Sequence, residues 1–306
     1  MYQKRQKHRI CHLLLPKLLY NIKKNERKEV VTMKASFAKA QSPLLAAVIK
    51  QKTTAAAIAA IKNAEVHGAT AIDLHLSCLD EDGRSDASLK RIFECTSLPI
   101  LGLNYKLSYD GTLYECTDDE RAGLFLRTAR LGISAVDIQG YTFKNYADGE
   151  LLDTSFSFAA AKPLEVITDN AVVKKQSDFI EQIHSLGCEV LLSTHANTFL
   201  DCSQTLELVN ELVKRNPDII KLVTTCDNDD QLAESFKTIL ALKNNFDIPI
   251  HLHCKGKRGR ITRLVNPILG GHLIFCCDGY EHNSDIEQLD LQTAARMVDD
   301  FRRILR

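Results

Sequence analysis

Two residues of this 306-residue chain have types and positions suited to covalent chemistry. Lys221 interrupts the apolar run 218–223, which otherwise predicts a buried β-strand, and His195 ends the apolar run 191–195. A lysine inside an apolar strand is costly unless its amine reaches water or has a chemical role. An amine and an imidazole on consecutive strands suggest Schiff-base chemistry with a proton shuttle. A snorkelling lysine and a structural histidine are the alternative interpretation.

The elements that must position these residues alternate regularly along the chain. Eight apolar or β-branched runs predict strands at Leu44–Ile49, Ala71–Leu76, Pro99–Asn104, Ser134–Gln139, Glu189–Ser193, Asp218–Val223, Ile248–His253 and Gly271–Phe275. Strands alternating with helices predict an α/β fold, a (β/α)8 TIM barrel in a single domain. A doubly wound open sheet is the main competitor, but no Gly-x-Gly-x-x-Gly follows the first strand.

The helical segments show the 3.6-residue periodicity of amphipathic helices. They are predicted at Thr54–His67, Asp119–Leu131, Val173–Leu186, Ser203–Arg215, Asp229–Asn244 and Leu291–Leu305. Ser203 is the predicted N-cap of the fourth of these. The segment 141–172 is long for a connection between a strand and a helix, which favours a functional lid or an insertion.

Charge and cysteine usage narrow the class of protein. Residues 1–32 carry nine Lys/Arg against two Glu, a net charge of +7, and the remainder carries −7. The acidic body argues against a nucleic-acid partner. We interpret residues 1–32 as a basic extension, disordered or upstream of the native start, and residues 33–306 as the catalytic domain. No apolar stretch is long enough for a membrane span, and ten cysteines without a Cys-x-x-Cys pair favour reduced thiols in the cytoplasm.

A metal site is not predicted. His251 and His253 are two residues apart on a predicted strand, but the sequence supplies no obvious third ligand. The predicted chemistry also needs no cofactor, because the lysine amine itself forms the covalent intermediate.

Several motifs resemble the type I 3-dehydroquinate dehydratases, which are (β/α)8 barrels acting through a lysine imine. The run ending at His195 resembles the family's Ser-x-His, and Lys221 lies in the strand that resembles the Schiff-base strand. The run 256–263 resembles Gly-x-x-Gly-x-x-Ser-Arg, which implies that Arg263 holds the substrate carboxylate. Ser284 and Gln288 have the spacing of the family's Ser-x-x-x-Gln, implying a substrate-binding loop that closes over the site.

The first half of the chain departs from the family pattern. Asp73 and His75 stand where the family has Glu and Arg on strand two, Tyr105 stands where an arginine follows strand three, and Gln139 replaces an acid on strand four. Asp73, His75 and Tyr105 remain candidate substrate-binding residues. The resemblance thus implies a retained imine lysine, histidine and carboxylate clamp, with altered groups for the ring hydroxyls.

The resemblance implies a lyase that dehydrates 3-dehydroquinate to 3-dehydroshikimate in aromatic amino acid biosynthesis, acting as a homodimer. Two alternatives stay open. One is a Schiff-base lyase or dehydratase for a different small carboxylated keto substrate, since altered hydrogen-bonding groups change specificity strongly. The other is a non-catalytic barrel that binds a related metabolite.

Overall fold

The computed structural model describes residues 35–105, 116–143, 167, 169–196, 198–279 and 288–304. Among these residues, nine strands form: β1 Leu44–Ile49, β2 Ala71–His75, β3 Ile100–Leu103, β4 Ala135–Gln139, β5 Glu189–His195, β6 Ile219–Thr225, β7 Ile250–Lys255, β8 Leu273–Cys277 and β9 Leu289–Asp290. Each of the eight predicted strands is present: β1 has the predicted ends, and the other seven have one or both ends shifted by one or two residues. The compact unit runs over Lys34–Arg306, and the predicted extension 1–32 lies outside the described residues.

Eight α-helices follow the strands in the same part of the chain. They are α1 Thr54–Val66, α2 Asp86–Glu94, α3 Asp118–Arg130, α4 Asn170–Ser185, α5 Cys202–Leu212, α6 Asp229–Asn245, α7 Thr262–Leu269 and α8 Leu291–Ile304. The sequence analysis predicted six of them and missed α2 and α7. Helix α7 is only eight residues long and contains Pro267, so its apolar periodicity is too short to stand out.

The sheet has the all-parallel order β7-β6-β5-β4-β3-β2-β1-β8-β9. Strand β1 pairs with β2 on one side and with β8 on the other, so the first and eighth strands are neighbours, as the predicted TIM barrel requires. At the seam between β7 and β8, the His272 backbone N–H donates to the Ile250 carbonyl at 3.0 Å. The parallel order places the carboxyl ends of all strands at one mouth, where barrel active sites lie.

Apolar side chains form two layers because successive residues of a strand point to opposite faces. Leu44 and Ala46 point into the barrel with Phe37 and other small or branched residues. Leu45 and Ala47 point outward into the larger core between the sheet and the helices. The inner layer fills the amino-terminal part of the barrel with apolar side chains.

The start of α5 corrects one prediction. Asp201, not Ser203, is the N-cap: its side chain accepts a hydrogen bond from the Gln204 backbone N–H, and the Gln204 side chain bonds back to the Asp201 N–H. This reciprocal pair satisfies the backbone N–H groups of both Asp201 and Gln204. With a cap at Ser203, the Asp201 N–H would lie in the preceding loop.

Glu189 closes the amino-terminal end of the barrel. Its carboxylate accepts hydrogen bonds from the backbone N–H groups of Phe37 at 2.7 Å and Ala38 at 2.9 Å, and from the Ser36 hydroxyl. Phe37 is fully buried in the inner layer, and His272 Nε2 donates to its carbonyl at 2.9 Å. Glu189 therefore holds the segment that plugs the barrel.

We expect Glu189→Ala to lower the free energy of unfolding by about 2–4 kcal/mol, because hydrogen bonds to a charged acceptor contribute roughly 1.5–3 kcal/mol each. Urea unfolding followed by circular dichroism measures the change. Glu207→Ala, at an exposed position on α5, is the matched control and should shift stability by less than about 0.5 kcal/mol. Equal effects of the two substitutions would contradict the anchoring role.

Candidate active site

Lys221 points into the barrel from β6 and is almost completely buried, with 6% of the residue exposed. Its Nζ donates to the Tyr105 hydroxyl at 2.8 Å and lies 3.5 Å from Asp137 Oδ2. The Phe275 ring centroid is 4.6 Å from the same nitrogen. The amine thus ends inside the barrel rather than in bulk water, which removes the snorkelling interpretation.

Asp137 on β4 is the acid that faces this amine, and it is fully buried. It accepts hydrogen bonds from Ser193 Oγ at 2.6 Å and from the Tyr105 hydroxyl at 3.2 Å. Burial raises the pKa of Asp137, and the positive charge of Lys221 opposes that rise. A buried carboxylate with a raised pKa holds a proton more readily than an exposed one, and Asp137 lies within reach of the Lys221 amine.

His195 ends β5 as predicted and also faces the interior. It is 4% exposed, and the Tyr105 ring lies edge-on to its imidazole with centroids 5.6 Å apart. Burial lowers its pKa well below the usual value, and the charges of Lys221, Lys255 and Arg263 act in the same direction. The imidazole is therefore neutral near pH 7 and able to accept a proton.

Tyr105 links the two predicted catalytic residues. Its hydroxyl contacts Lys221 and Asp137 while its ring contacts His195. The structure therefore brings Lys221, His195 and Tyr105 together, across three strands of the sheet. A tyrosine here fills space and hydrogen-bonds Lys221 and Asp137, whereas an arginine would add a second cation beside Lys221.

Asp73 and His75 lie together on the inner face of β2. His75 Nε2 is 3.6 Å from Asp73 Oδ2, and both side chains are buried. Burial lowers the pKa of His75, while Asp73 opposes the shift. The charge of Lys221 also acts on His75, so this pair belongs to the same electrostatic site.

Arg263 lies in the first turn of α7, directly above the mouth. It is 5% exposed, and its charge lowers the pKa values of three inward-facing histidines, His195, His251 and His253. The preceding loop is held by Thr262, whose hydroxyl donates to the Gly259 carbonyl at 2.6 Å and accepts from the Cys254 N–H at 2.8 Å. The Thr262 hydroxyl thus has a structural role, because it joins this loop to the end of β7.

The predicted closing loop is described only at its end. Gln288 lies directly before β9 with its side chain buried. Ser284 lies outside the described residues, as does most of the segment 141–172. The roles of Gln288 and Ser284 in substrate binding therefore stay predictions.

The sequence analysis missed four inward-facing residues as members of the site: Asp137, Phe275, His251 and His253. Asp137 carries the same signal as Lys221, a charged group inside an apolar strand, which is costly unless it is paired. For the two histidines, the sequence spacing raises only the possibility of a metal site. Within the described ranges, no group of three His, Cys, Asp or Glu side chains is arranged to hold a metal ion.

None of the helices in the described part of the chain has the length and apolar character needed to cross a bilayer.

A family model and curated relatives identify the family of this chain. The protein-family model for type I 3-dehydroquinase matches residues 45–301 of this chain. The 3-dehydroquinate dehydratase of Coxiella burnetii is 32% identical over 97 residues, which cover 30% of this chain and 40% of that protein. The enzyme of the same name from Desulfotalea psychrophila is 19% identical over 175 residues, covering 57% of this chain and 65% of that protein. Both pairwise matches thus span less than two thirds of the relative's length.

Solved structures with the same fold cover more of the chain. The 3-dehydroquinate dehydratase of Geobacillus kaustophilus has a TM-score of 0.65 at 13% identity, covering 86% of this chain and 93% of that one. The type I enzyme of Clostridium difficile, solved with covalent modified comenic acid, has a TM-score of 0.63 at 14% identity, covering 86% and 95%. At these identities the likeness supports the barrel fold alone.

Proposed function

The chain belongs to the type I 3-dehydroquinase family, and from that premise we propose that it dehydrates 3-dehydroquinate to 3-dehydroshikimate through an imine on Lys221. One observation carries this proposal: the Lys221 amine is buried inside the barrel, 2.8 Å from the Tyr105 hydroxyl and 3.5 Å from the Asp137 carboxylate. The enzyme is then a carbon–oxygen lyase that uses its own side chains as the reactive groups.

Imine formation begins with the neutral amine. Asp137 takes the ammonium proton, and the freed Nζ adds to the substrate ketone. His195 helps the resulting carbinolamine lose its oxygen as water, which leaves a protonated imine. Because the imine withdraws electrons, the C–H bond next to it becomes acidic.

His195 then removes that proton, and the electron pair moves into the imine to give an enamine. The enamine expels the β-hydroxyl, which takes that proton back from the His195 imidazolium and leaves as water. Hydrolysis of the conjugated imine releases the enone and restores Lys221. Acid–base assistance of this kind contributes about 10²–10⁴-fold to a rate.

Arg263 supplies the carboxylate clamp in this proposal. Its guanidinium is buried above the mouth, and a planar guanidinium binds a carboxylate through two parallel hydrogen bonds. Fixing the carboxylate orients the ketone against Lys221, which lowers the entropic part of the barrier. Gln288 and Ser284 would add hydrogen bonds from the closing loop.

A second candidate keeps the imine but changes the substrate. The Tyr105 hydroxyl already bonds to Lys221 and Asp137, so it has less capacity to read a ring hydroxyl than the arginine that the family resemblance implies there. This observation favours another small carboxylated keto compound. A barrel that only binds such a metabolite is the third candidate, and it would form no imine.

The test of the proposal is mass spectrometry after incubation with 3-dehydroquinate and sodium borohydride. An adduct on the Lys221 peptide, with enone absorbance appearing when the reductant is omitted, supports both the lysine and the substrate. An adduct without enone supports the second candidate, and further keto acids would then be compared. A folded protein that forms no adduct contradicts imine chemistry on this substrate.

We expect His75→Arg to raise kcat/KM for 3-dehydroquinate by about tenfold, equivalent to roughly 1.4 kcal/mol of transition-state binding. The new guanidinium would pair with Asp73, which lies 3.6 Å from the present imidazole, and offer donors to the ring hydroxyls. Steady-state kinetics measure the gain. His75→Gln is the matched control, because it introduces no cation. If kcat/KM rises in both variants, or in neither, the missing cation on β2 does not explain the altered specificity.

The proposal extends to assembly and location. A homodimer follows from the family resemblance alone. A cytoplasmic location is supported by the free, buried thiols of Cys188, Cys254 and Cys276, which suit a reducing compartment.

A further inference from the structure

Three buried side chains form a chain of hydrogen bonds that starts at the Lys221 amine. Lys221 Nζ donates to the Tyr105 hydroxyl at 2.8 Å, and that hydroxyl donates to Asp137 Oδ2 at 3.2 Å. A phenol hydroxyl both accepts and donates hydrogen bonds, so its oxygen can receive one proton while it gives up its own. The order of the bonds therefore describes a path for a proton from the amine to the carboxylate.

The direct route between the two charged groups is the longer one. Lys221 Nζ lies 3.5 Å from Asp137 Oδ2, whereas N–H···O bonds normally span about 2.7–3.2 Å. The bond from Tyr105 to Asp137 is also long for a hydroxyl donor, but catalytic hydrogen bonds often tighten only when the substrate is bound. The group in closest polar contact with the reacting nitrogen is thus the phenol.

Strand β5 holds the carboxylate end of this chain. Ser193 Oγ donates to Asp137 Oδ1 at 2.6 Å, and Ser193 is in register with Lys221 on the neighbouring strand. Because Ser193 bonds to Oδ1, the other oxygen, Oδ2, faces the phenol and the amine. Burial raises the pKa of Asp137, which lowers the cost of placing a proton on this carboxylate.

The phenol end is held by contacts to its backbone and to its ring. Arg121 on α3 is almost fully buried, and its Nε donates to the carbonyl of Asn104, the residue before Tyr105, at 2.9 Å. The Tyr105 ring packs edge-on against His195 with centroids 5.6 Å apart. These contacts keep the hydroxyl at the amine, so its position does not depend on a contact with the substrate.

We propose that Tyr105 is a catalytic residue that relays protons between the Lys221 amine and Asp137 while the imine forms and while it is hydrolysed. This inference rests on the proposed function, because it assigns a step in that reaction. The phenol oxygen accepts a proton from the ammonium as its own proton passes to Asp137. The products are a neutral amine, an intact phenol and a protonated carboxyl.

The protons and electrons of imine formation balance along this path. The amine lone pair forms the bond to the ketone carbon as the C=O π electrons move to oxygen. The proton on Asp137 returns through the phenol to that oxygen, which becomes the carbinolamine hydroxyl. His195 assists transfer of a second proton from nitrogen to this hydroxyl, which leaves as water, and the third ammonium proton stays on the imine nitrogen.

The test separates substrate binding from imine formation in the Tyr105→Phe variant, which keeps the ring beside His195 and loses only the hydroxyl. Wild type and variant are mixed with 3-dehydroquinate over a range of concentrations and quenched at short times with sodium borohydride. Mass spectrometry measures the adduct on the Lys221 peptide. The concentration dependence gives the limiting rate constant of adduct formation and the half-saturating concentration.

We expect the limiting rate constant of Tyr105→Phe to fall about 10²-fold, the lower end of acid–base contributions. The half-saturating concentration should stay within twofold of wild type. A tyrosine that only binds the substrate would give the opposite result, because the loss of a binding contact raises the half-saturating concentration and leaves the limiting rate unchanged. Circular dichroism checks that the variant is folded.

Two further variants separate a relay from the general effect of removing a buried hydroxyl. Tyr141→Phe is the matched control, because it removes the hydroxyl of another buried tyrosine, and it should leave both quantities within twofold of wild type. Asp137→Asn interrupts the other end of the relay. The double variant Tyr105→Phe/Asp137→Asn should be at most about twofold slower than the slower single variant, since groups that act as a unit are not additive.

Three results overturn the inference while leaving the proposed function intact. They are a limiting rate constant within twofold of wild type in Tyr105→Phe, an equal loss in Tyr141→Phe, and losses that multiply in the double variant. If Asp137→Asn does not fold, Tyr105→Phe and its control decide alone. A folded wild-type protein that forms no adduct overturns the proposed function, and the inference with it.

Discussion

Replacing Lys221 with methionine is expected to abolish both turnover and the borohydride adduct. Methionine has a similar length but no amine, so the covalent route is lost. The fall in kcat should be on the order of 10⁶-fold, the scale seen when a catalytic nucleophile is removed. Progress of the enone absorbance and intact-protein mass after reduction measure the two effects.

The same substitution has a cost in stability. Asp137 is fully buried and its carboxylate lies 3.5 Å from the Lys221 amine. Removing one partner of a buried pair leaves a charge without compensation and costs about 3–5 kcal/mol. Protonation of Asp137, whose pKa burial already raises, would relieve part of this cost.

Two further variants keep this prediction decisive even if the methionine protein unfolds. Lys221→Arg retains the positive charge beside Asp137 but cannot lose its proton to become a nucleophile, so it should fold and remain inactive. Lys237→Met changes an exposed lysine that pairs with Glu234 on α6 and should retain full activity. Turnover or an adduct in a folded Lys221→Arg protein would contradict the imine mechanism.

Replacing His195 with glutamine is expected to lower kcat by about 10²–10⁴-fold while the Lys221 imine still forms. Glutamine retains hydrogen-bonding groups but cannot remove a proton from carbon. The intermediate should therefore accumulate, and the fraction of protein trapped by borohydride during turnover should rise. Rapid-quench mass spectrometry measures that fraction.

The pH dependence of the wild type provides an independent check. The pKa of His195 lies well below its usual 6.5, because burial and the charges of Lys221, Lys255 and Arg263 disfavour the imidazolium. As pH falls, kcat/KM should stay level through 6.5 and decline only when the imidazole takes up a proton at lower pH. His184→Gln on α4 is the control and should reproduce the wild-type profile. A decline centred at or above pH 6.5 would be inconsistent with this burial.

Much of the barrel could be predicted because each strand and helix is defined by a short stretch of the sequence. The apolar runs around residues 72, 136 and 220 are short enough for strands and are separated by segments with helical periodicity. Helix α2 was missed because it has nine residues and a polar surface. The cap of α5 was placed two residues late because Asp201 and Ser203 both have side chains able to cap a helix.

The residues of the candidate site also fall into two groups, those that the sequence identified and those whose contacts it did not show. Lys221 and His195 were identified from the sequence because a charged or titratable group at an apolar strand is unusual in itself. His253 was seen but interpreted only as a metal ligand, because sequence spacing shows that two side chains share a face and does not show what they contact. Its hydrogen bond to His251 depends on the rotamers of both rings.

By itself the sequence determined the alternation of strands and helices, the mouth at which their polar ends collect, and the strand that carries Lys221. These features follow from side-chain period and burial cost, which act over a few residues. Only the tertiary structure decided that Lys221 meets Tyr105 and Asp137, which are 116 and 84 positions away in the chain. Such contacts depend on strand register and on the curl that brings β3, β4 and β6 around one interior, and no local pattern encodes them.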